Sequence, residues 1–231
     1  MKNIKNYITK HLYIIAGVMM LVVIMTGCEL VGLDLQKPYK YDYSAGMHNN
    51  ETHMTAWEFI QSRPDLFSIL KEGIEYAGLQ DMYNQSDRTY ILLADKAFNS
   101  TTSTDMSYFM THTFPDPNDT TGTVMITPET LTLYPVEQVR ELLLYHIVKG
   151  QWTWSNVPAS PTWFDTEASA DTAKVNLYLL KDRNPNIEFN NFDGHYKLLI
   201  TARTTNLKTS NGSYMHVLES WLERPTRSQL R

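Results

Sequence analysis

From Thr55 onward, apolar positions recur every three to four residues, and later every second residue, with polar turns between. Thr55 and Glu58 have the spacing of a capping box, which opens a helix. Pro64 then ends or kinks that helix and starts another, because proline suits a first turn but not an interior. Leu66, Leu70, Ile74 and Ala77 lie on one helical face, and Gly78 stands where a C-terminal cap belongs. After the polar turn "NQSD", the stretch "RTYILLADKAF" reads as a short buried strand passing into a helix at Asp95. Residues 99–127 are polar, with Pro115, Pro117 and Gly122, and predict a long loop. "TLYPVEQVRELLLYH" is a helix with Pro135 in its first turn and Val136, Val139 and Leu143 on one face. "HIVKG" is a strand closing at Gly150. Residues 157–172 read as a second irregular segment. "KVNLYLL", "NIEFNNF" and "YKLLITA" are strands, the last two flanking Asp193-Gly194, a hairpin signal because both residues tolerate positive φ. "SYMHVLESWL" is the closing strand before Pro225. This order of helices and strands predicts a single α+β domain.

Upstream of Thr55 the pattern changes. Lys2, Lys5 and Lys10 precede an uncharged apolar run from Leu12 to Met25. That run is shorter than the roughly 20 residues a membrane-spanning helix needs, and it fits the core of an export signal. It ends in Met25-Thr26-Gly27-Cys28, which resembles the bacterial lipobox, in which the cysteine becomes the acylated first residue. Cys28 is the sole cysteine, so no intramolecular disulfide competes for it. Each buried methylene contributes about 0.8 kcal/mol, and a stable anchor needs more than one chain; the lipoproteins this leader resembles carry several. Residues 1–27 are thus a lipoprotein signal peptide, 28–54 a lipidated N-terminus and tether, 55–225 the domain, and 226–231 a tail. For the tether, the alternating Tyr39, Tyr41 and Tyr43 leave open a short strand docked on the domain. Cutting 27 of 231 residues leaves 204, with 17 basic against 25 acidic groups, a net charge of −8. Such an acidic chain argues against nucleic acid and anionic headgroups as partners.

Candidate chemistry is sparse. The seven histidines show no metal-ligand spacing, there is no G-x-S-x-G elbow, and the ten glycines form no phosphate loop. No enzyme, cofactor or metal follows. The conspicuous feature is Tyr145-His146 inside "ELLLYHIVKG". One reading is structural: the ring of Tyr145 is buried with its hydroxyl paired, and His146 bonds neighbouring backbone, since an unpaired buried polar group costs about 1–3 kcal/mol. The other makes the pair a ligand-facing site. His216, between Met215 and Val217, is read as a satisfied core-edge histidine. In "GQWTWSNVPASPTWFD", Trp152 and Trp154 share a face if extended; Trp152 reads as packed. Trp154 and Trp163 either offer apolar faces to a sugar or protein, or cover the long segments. Asp119-Thr120-Thr121 and Asp171-Thr172-Ala173 are similar to an O-glycosylation sequon of exported bacterial proteins.

Three segments resemble the fasciclin family. "TYILLADKAF" is similar to its first box, T-V-F-A-P-T-D-E-A-F, keeping Thr89, Asp95, Ala97 and Phe98. "LLLYHIVKG" resembles the tyrosine–histidine motif L-K-Y-H-V-V-P-G. "NGSYMHVLESWL" resembles the closing box N-G-V-I-H-V-I-D-x-V-L, with Ser213 inserted; Leu93, Ala94 and Lys149 also depart from the pattern. The resemblance implies a twisted β-sheet wedge flanked by helices and a non-catalytic module for adhesion or ligand binding. It implies Tyr145 and His146 as a binding region in some members. With the leader, it leads to two expectations. One is an envelope adhesion module binding a protein or matrix partner. The other is an accessory glycan-binding lipoprotein of an outer-membrane uptake system. Glu29 after Cys28 is not the aspartate associated with inner-membrane retention, which favours the Gram-negative outer membrane, lipid-anchored.

Overall fold

The computed structural model describes residues 50–102, 106–181 and 185–230, and before them only His11, Tyr13 and Met19, all helical. The chain divides into two units, Met1–His48 and Asn49–Arg231. The lipobox, Cys28 and the tyrosines of the tether lie outside the described residues. Among the described residues no helix is long and apolar enough to cross a membrane.

In the second unit, Thr55 caps helix α1 (Ala56–Ser62) through the expected box: the Glu58 amide donates to Thr55 Oγ1 (3.2 Å) and the Thr55 amide to Glu58 Oε2 (2.8 Å). Arg63 leaves the helix because the following proline disfavours helical backbone. Helix α2 (Pro64–Ala77) buries Phe67, Leu70 and Ile74 and stops at Gly78, whose φ of +64° suits a residue without Cβ. α2 is kinked at Phe67 (φ −129°, ψ 28°), which frees the amides of Ser68 and Ile69. Asp95 takes both, at 3.1 and 2.9 Å, and so acts as a cap supplied from another element. The aspartate that opens the helix of the first sequence box therefore has a structural task.

Strand β1 (Arg88–Leu93) is buried from Thr89 on and leads into α3 (Asp95–Asn99). The segment predicted as loop between 99 and 127 carries more order than its composition suggests. It forms a short helix α4 (Tyr108–Thr111) and a small hairpin of β2 (Phe114–Pro115) and β3 (Met125–Ile126), anchored because Tyr108 and Phe109 reach the core. Helix α5 (Val136–Tyr145) runs into β4 (Ile147–Lys149), which ends at Gly150 with φ +88°. The second segment expected to be irregular holds strand β5 (Thr162–Asp165). Then follow β6 (Lys174–Leu180), β7 (Asn186–Phe189), β8 (Ile200–Thr201), β9 (Thr204–Lys208) and β10 (Tyr214–Leu218).

Two four-stranded sheets result, β4-β1-β10-β9 and β5-β6-β7-β8. In the first, β1 and β10 run parallel at the centre and the outer pairs are antiparallel. A bridge between Val148 and Thr166 joins the sheets on one side. On the other the chain crosses from β8 to β9, where the Arg203 amide bonds Val217 O (2.8 Å). Apolar residues from both sheets and from α1, α2 and α5 form one core, so the α+β architecture expected from the sequence is present.

One expectation needs correcting, and one strand went unforeseen. Asp193-Gly194 does turn the chain, with the His195 amide on Phe192 O (3.2 Å), but it is not a two-residue hairpin. β7 and β8 pair only at Glu188–Thr201 and Phe189–Ile200, leaving residues 190–199 between them, because the polar groups of Asn190 and His195 bond across to other elements. β9, "TTNLK", lacks the alternation that marks a strand. It is held between β10 and residues 50–54, whose backbone bonds Lys208 and Ser210.

Candidate ligand site beside Tyr145

α5 ends where its last side chain is pulled into the core. Tyr145 is 2% exposed; its hydroxyl donates to Lys174 O (2.9 Å), with Glu223 O as a longer alternative (3.2 Å), and accepts from Asn190 Nδ2 (3.0 Å). Asn190 also donates to Glu223 O (2.8 Å), and its Oδ1 accepts the Asn176 amide (2.9 Å). One hydroxyl thus joins α5, β6, the loop after β7 and the segment after β10. Burial pushes the Tyr145 phenol well above its ordinary pKa.

His146 caps the helix and is 1% exposed. Its Nδ1–H donates to Leu142 O (2.8 Å) and its Nε2 accepts the Leu222 amide (3.1 Å), which fixes the neutral tautomer. Burial lowers its pKa to about 4, the nearby Arg224 charge acting in the same direction. His216 is handled alike. A register shift between Met215 and Val217 turns its ring to β9, where Nδ1 accepts from Thr205 Oγ1 (2.6 Å) while Nε2–H donates to Trp152 O (2.9 Å). Burial lowers it to about 4 as well. Both histidines have partners at both nitrogens, as the structural reading required.

Above Tyr145 lies a pocket of about 290 Å³, between α4, α5 and the segment Trp221–Arg224. Its wall is aromatic: His112 stacks on Tyr108 (4.0 Å, 16°), and Trp221 stands edge-on to both (5.0 and 5.5 Å). Tyr196 stacks on Trp221 from behind (4.5 Å, 8°). The rim is charged. Arg224 pairs with Glu141 (2.9 Å) and lies 5.4 Å above the Tyr145 ring centroid, while Ser169 holds the other Glu141 oxygen (2.9 Å). His112 Nδ1 faces Tyr108 O (3.0 Å) and Thr111 Oγ1 (2.9 Å); no hydrogen bond engages its Nε2 among the described residues. Burial lowers the His112 pKa, against the opposing pull of Glu223. A second depression of about 430 Å³ shares His112 and Gln138 and extends to Phe114 and Tyr134. This arrangement offers a flat apolar face, a guanidinium, carboxylates and an imidazole acceptor. Groups of this kind are suited to stacking and hydrogen bonding, and no activated nucleophile stands among them.

The other sequence candidates lie elsewhere. Trp152 does not share an extended face with Trp154: it packs on Phe164 (4.2 Å) and donates to Lys149 O (2.8 Å). Trp154 is 42% exposed in the turn that follows, and its amide bonds Asn206 Oδ1 (3.2 Å). Trp163, on β5 rather than in a loop, is half-buried against Phe192 (5.2 Å). Neither lines the pocket. Thr120 is exposed in a turn, beside an Asp119 carboxylate that the Thr121 hydroxyl (2.6 Å) and the amides of Val124, Thr121 and Thr123, all donating to it, hold well below its ordinary pKa. Thr172 is half-buried in the turn before β6. The sequence reading missed Tyr108, His112, Asn190, His195, Trp221 and Arg224. Only Trp221, an aromatic closing the last box, carried a signal; Tyr108 and His112 sit in a stretch that looks like loop.

No protein-family model and no curated protein sequence matches this chain. Among solved structures, the fold is similar to that of a FAS1 domain pair from the insect cell adhesion molecule fasciclin I. The TM-score is 0.50 at 15% sequence identity, over 74% of this chain and 51% of that one. The chain thus has a fasciclin-like α+β fold and spans about half the length of the pair it matches.

Proposed function

We propose that the protein is a non-catalytic binding module of the cell envelope, anchored through lipid on Cys28, with the pocket beside Tyr145 as its ligand site. The observation that carries the reading is the pocket's make-up: an aromatic wall and a charged rim, mounted on a core whose own tyrosine and histidine are fully bonded. Rigid aromatics flanked by arginine are what binding hot spots are made of. The likeness in fold to a cell adhesion molecule supports a protein or matrix partner. Tyr145 and His146 then act as the floor that positions the wall.

A second reading, the glycan-binding lipoprotein of an uptake system, draws on one observation, the exposed indole of Trp154. Binding of labelled matrix proteins and of polysaccharides to the full chain, each compared with Arg224→Ala and Trp154→Ala, separates the two. Loss of protein binding in Arg224→Ala alone supports the first. Loss of polysaccharide binding in Trp154→Ala alone supports the second. The anchor is tested by palmitate labelling, which Cys28→Ala abolishes if the lipobox is used.

A further inference from the structure

The pocket wall Trp221–Arg224 follows β10 but belongs to no strand. Two consecutive amides in it are held in the same unusual way. Leu222 donates to His146 Nε2 (3.1 Å) and Glu223 to His195 Nε2 (3.0 Å). Each imidazole spends its other nitrogen as a donor to a carbonyl, His146 to Leu142 O (2.8 Å) and His195 to Lys197 O (2.6 Å). Both rings are buried, at 1% and 6% exposure. Both must therefore be neutral. A protonated imidazole carries N–H at both nitrogens, so a proton on Nε2 would point at the amide it now accepts.

We propose that this segment is an acid-released latch: at neutral pH two histidines hold the pocket wall in place, and protonation of either lets it go. The proposal rests on the pocket being the ligand site, and it makes ligand release the consequence of acidification. The surrounding charges differ at the two rings. Arg224 is the charge bearing on His146 and disfavours its protonation. On His146's own helix Glu141 is neutralised by Arg224, Tyr145 meets the ring edge-on (5.5 Å), and beyond Ile147 the Arg88–Glu167 pair compensates itself. Burial lowers the His195 pKa, against the pull of its bond to Lys197 O and of Glu223, which favours the cation; Phe192 and Tyr196 flank the ring, and Lys197 is turned to Ser220 Oγ (2.9 Å). The charge beside His195 thus favours a cation where the one beside His146 opposes it, and the freed His195 ring has a carboxylate at hand.

Amide hydrogen exchange of the full chain in detergent micelles, corrected for intrinsic rate, tests this without any ligand. His146, moving from about 4 when held to its ordinary 6.5 when released, by itself multiplies opening about 20-fold between pH 7 and pH 5, and His195, which burial also lowers, adds in the same direction. Leu222 and Glu223 should lose at least that much protection and at pH 5 exchange faster than Leu177 in β6, through an opening that leaves the core closed; His195→Gln, a neutral acceptor, should restore the part of the loss that His195 causes. Equal protection of all three amides at pH 5, or no rescue by His195→Gln in a folded variant, overturns the latch. Should that variant not fold, the ring ¹⁵N shifts of the native chain decide. Protonated Nδ1 with bare Nε2 at both rings at neutral pH supports the proposal, and the opposite tautomer or a cation refutes it. A pocket that binds nothing would sink the ligand reading and leave these readouts unchanged.

Discussion

Tyr145→Phe removes one oxygen atom and nothing else from the point where four elements meet. The ring stays, with its edge-on contact to His146 and the Arg224 guanidinium above it. Lys174 O loses the hydroxyl that reaches it at 2.9 Å, and Asn190 Nδ2 loses one of its two acceptors but keeps Glu223 O at 2.8 Å. Losing a buried donor from a carbonyl costs about 1–3 kcal/mol. The lower half of that range fits, because Asn190 remains satisfied. For a domain of this size each kcal/mol moves the melting temperature by about 2–4 °C, so the variant should melt about 2–8 °C below wild type. Urea unfolding should show a lower midpoint with unchanged slope, since the folded surface is the same. An Asn190→Ala change should cost less in the Tyr145→Phe background than alone, because the two side chains share a bond. A Tyr145→Phe protein that melts with wild type would refute the reasoning, and would mean the hydroxyl is not what ties these elements together.

Other outcomes follow from the same contacts. His146 and His216 are both depressed from 6.5 to about 4, so the unfolded chain takes up protons first: their stabilisation is complete above about pH 6.5 and is lost as pH falls toward 4. By pH 5 that amounts to about 2 kcal/mol each, before ordinary carboxylates titrate, and urea midpoints at pH 7 and pH 5 measure it; equal midpoints would contradict it. Asp95→Ala uncaps the kinked second helix and should cost about 0.5–2 kcal/mol, read by thermal melting. Gly78→Ala places a Cβ at φ +64° with open space around it, so its cost of about 1 kcal/mol is backbone strain alone and should be matched by other non-glycine residues except asparagine.

The core was largely legible in the sequence because burial there is periodic. α1, α2, α5, β1 and β6 each show an apolar face or run, and their ends carry chemistry that punctuates: Thr55 with Glu58, Pro64, Gly78, Gly150. The pairing needs of Tyr145, His146 and His216 were also readable, since a polar ring inside an apolar run has to find partners. What could not be read was held by long-range polar contacts. β9 looks like loop because its strand character comes from β10, the ring of His216 and residues 50–54. The ten-residue excursion between β7 and β8 is invisible because Asn190 and His195 reach partners 33 and 28 positions away. The pocket wall fell in the same gap. Tyr108 and His112 lie in a polar stretch, and only the fold brings Trp221 against them.

The claim that the buried pair supports the site and does not itself grip a ligand is tested most directly by measuring binding and melting together in two variants. Using whichever matrix protein or polysaccharide the native chain retains, Tyr145→Phe should melt early yet bind with unchanged affinity below its transition. Arg224→Ala, which gives up a half-exposed ion pair worth little to stability, should melt near wild type and bind at least tenfold more weakly. The reverse pattern, with affinity lost in Tyr145→Phe and kept in Arg224→Ala, would contradict the account.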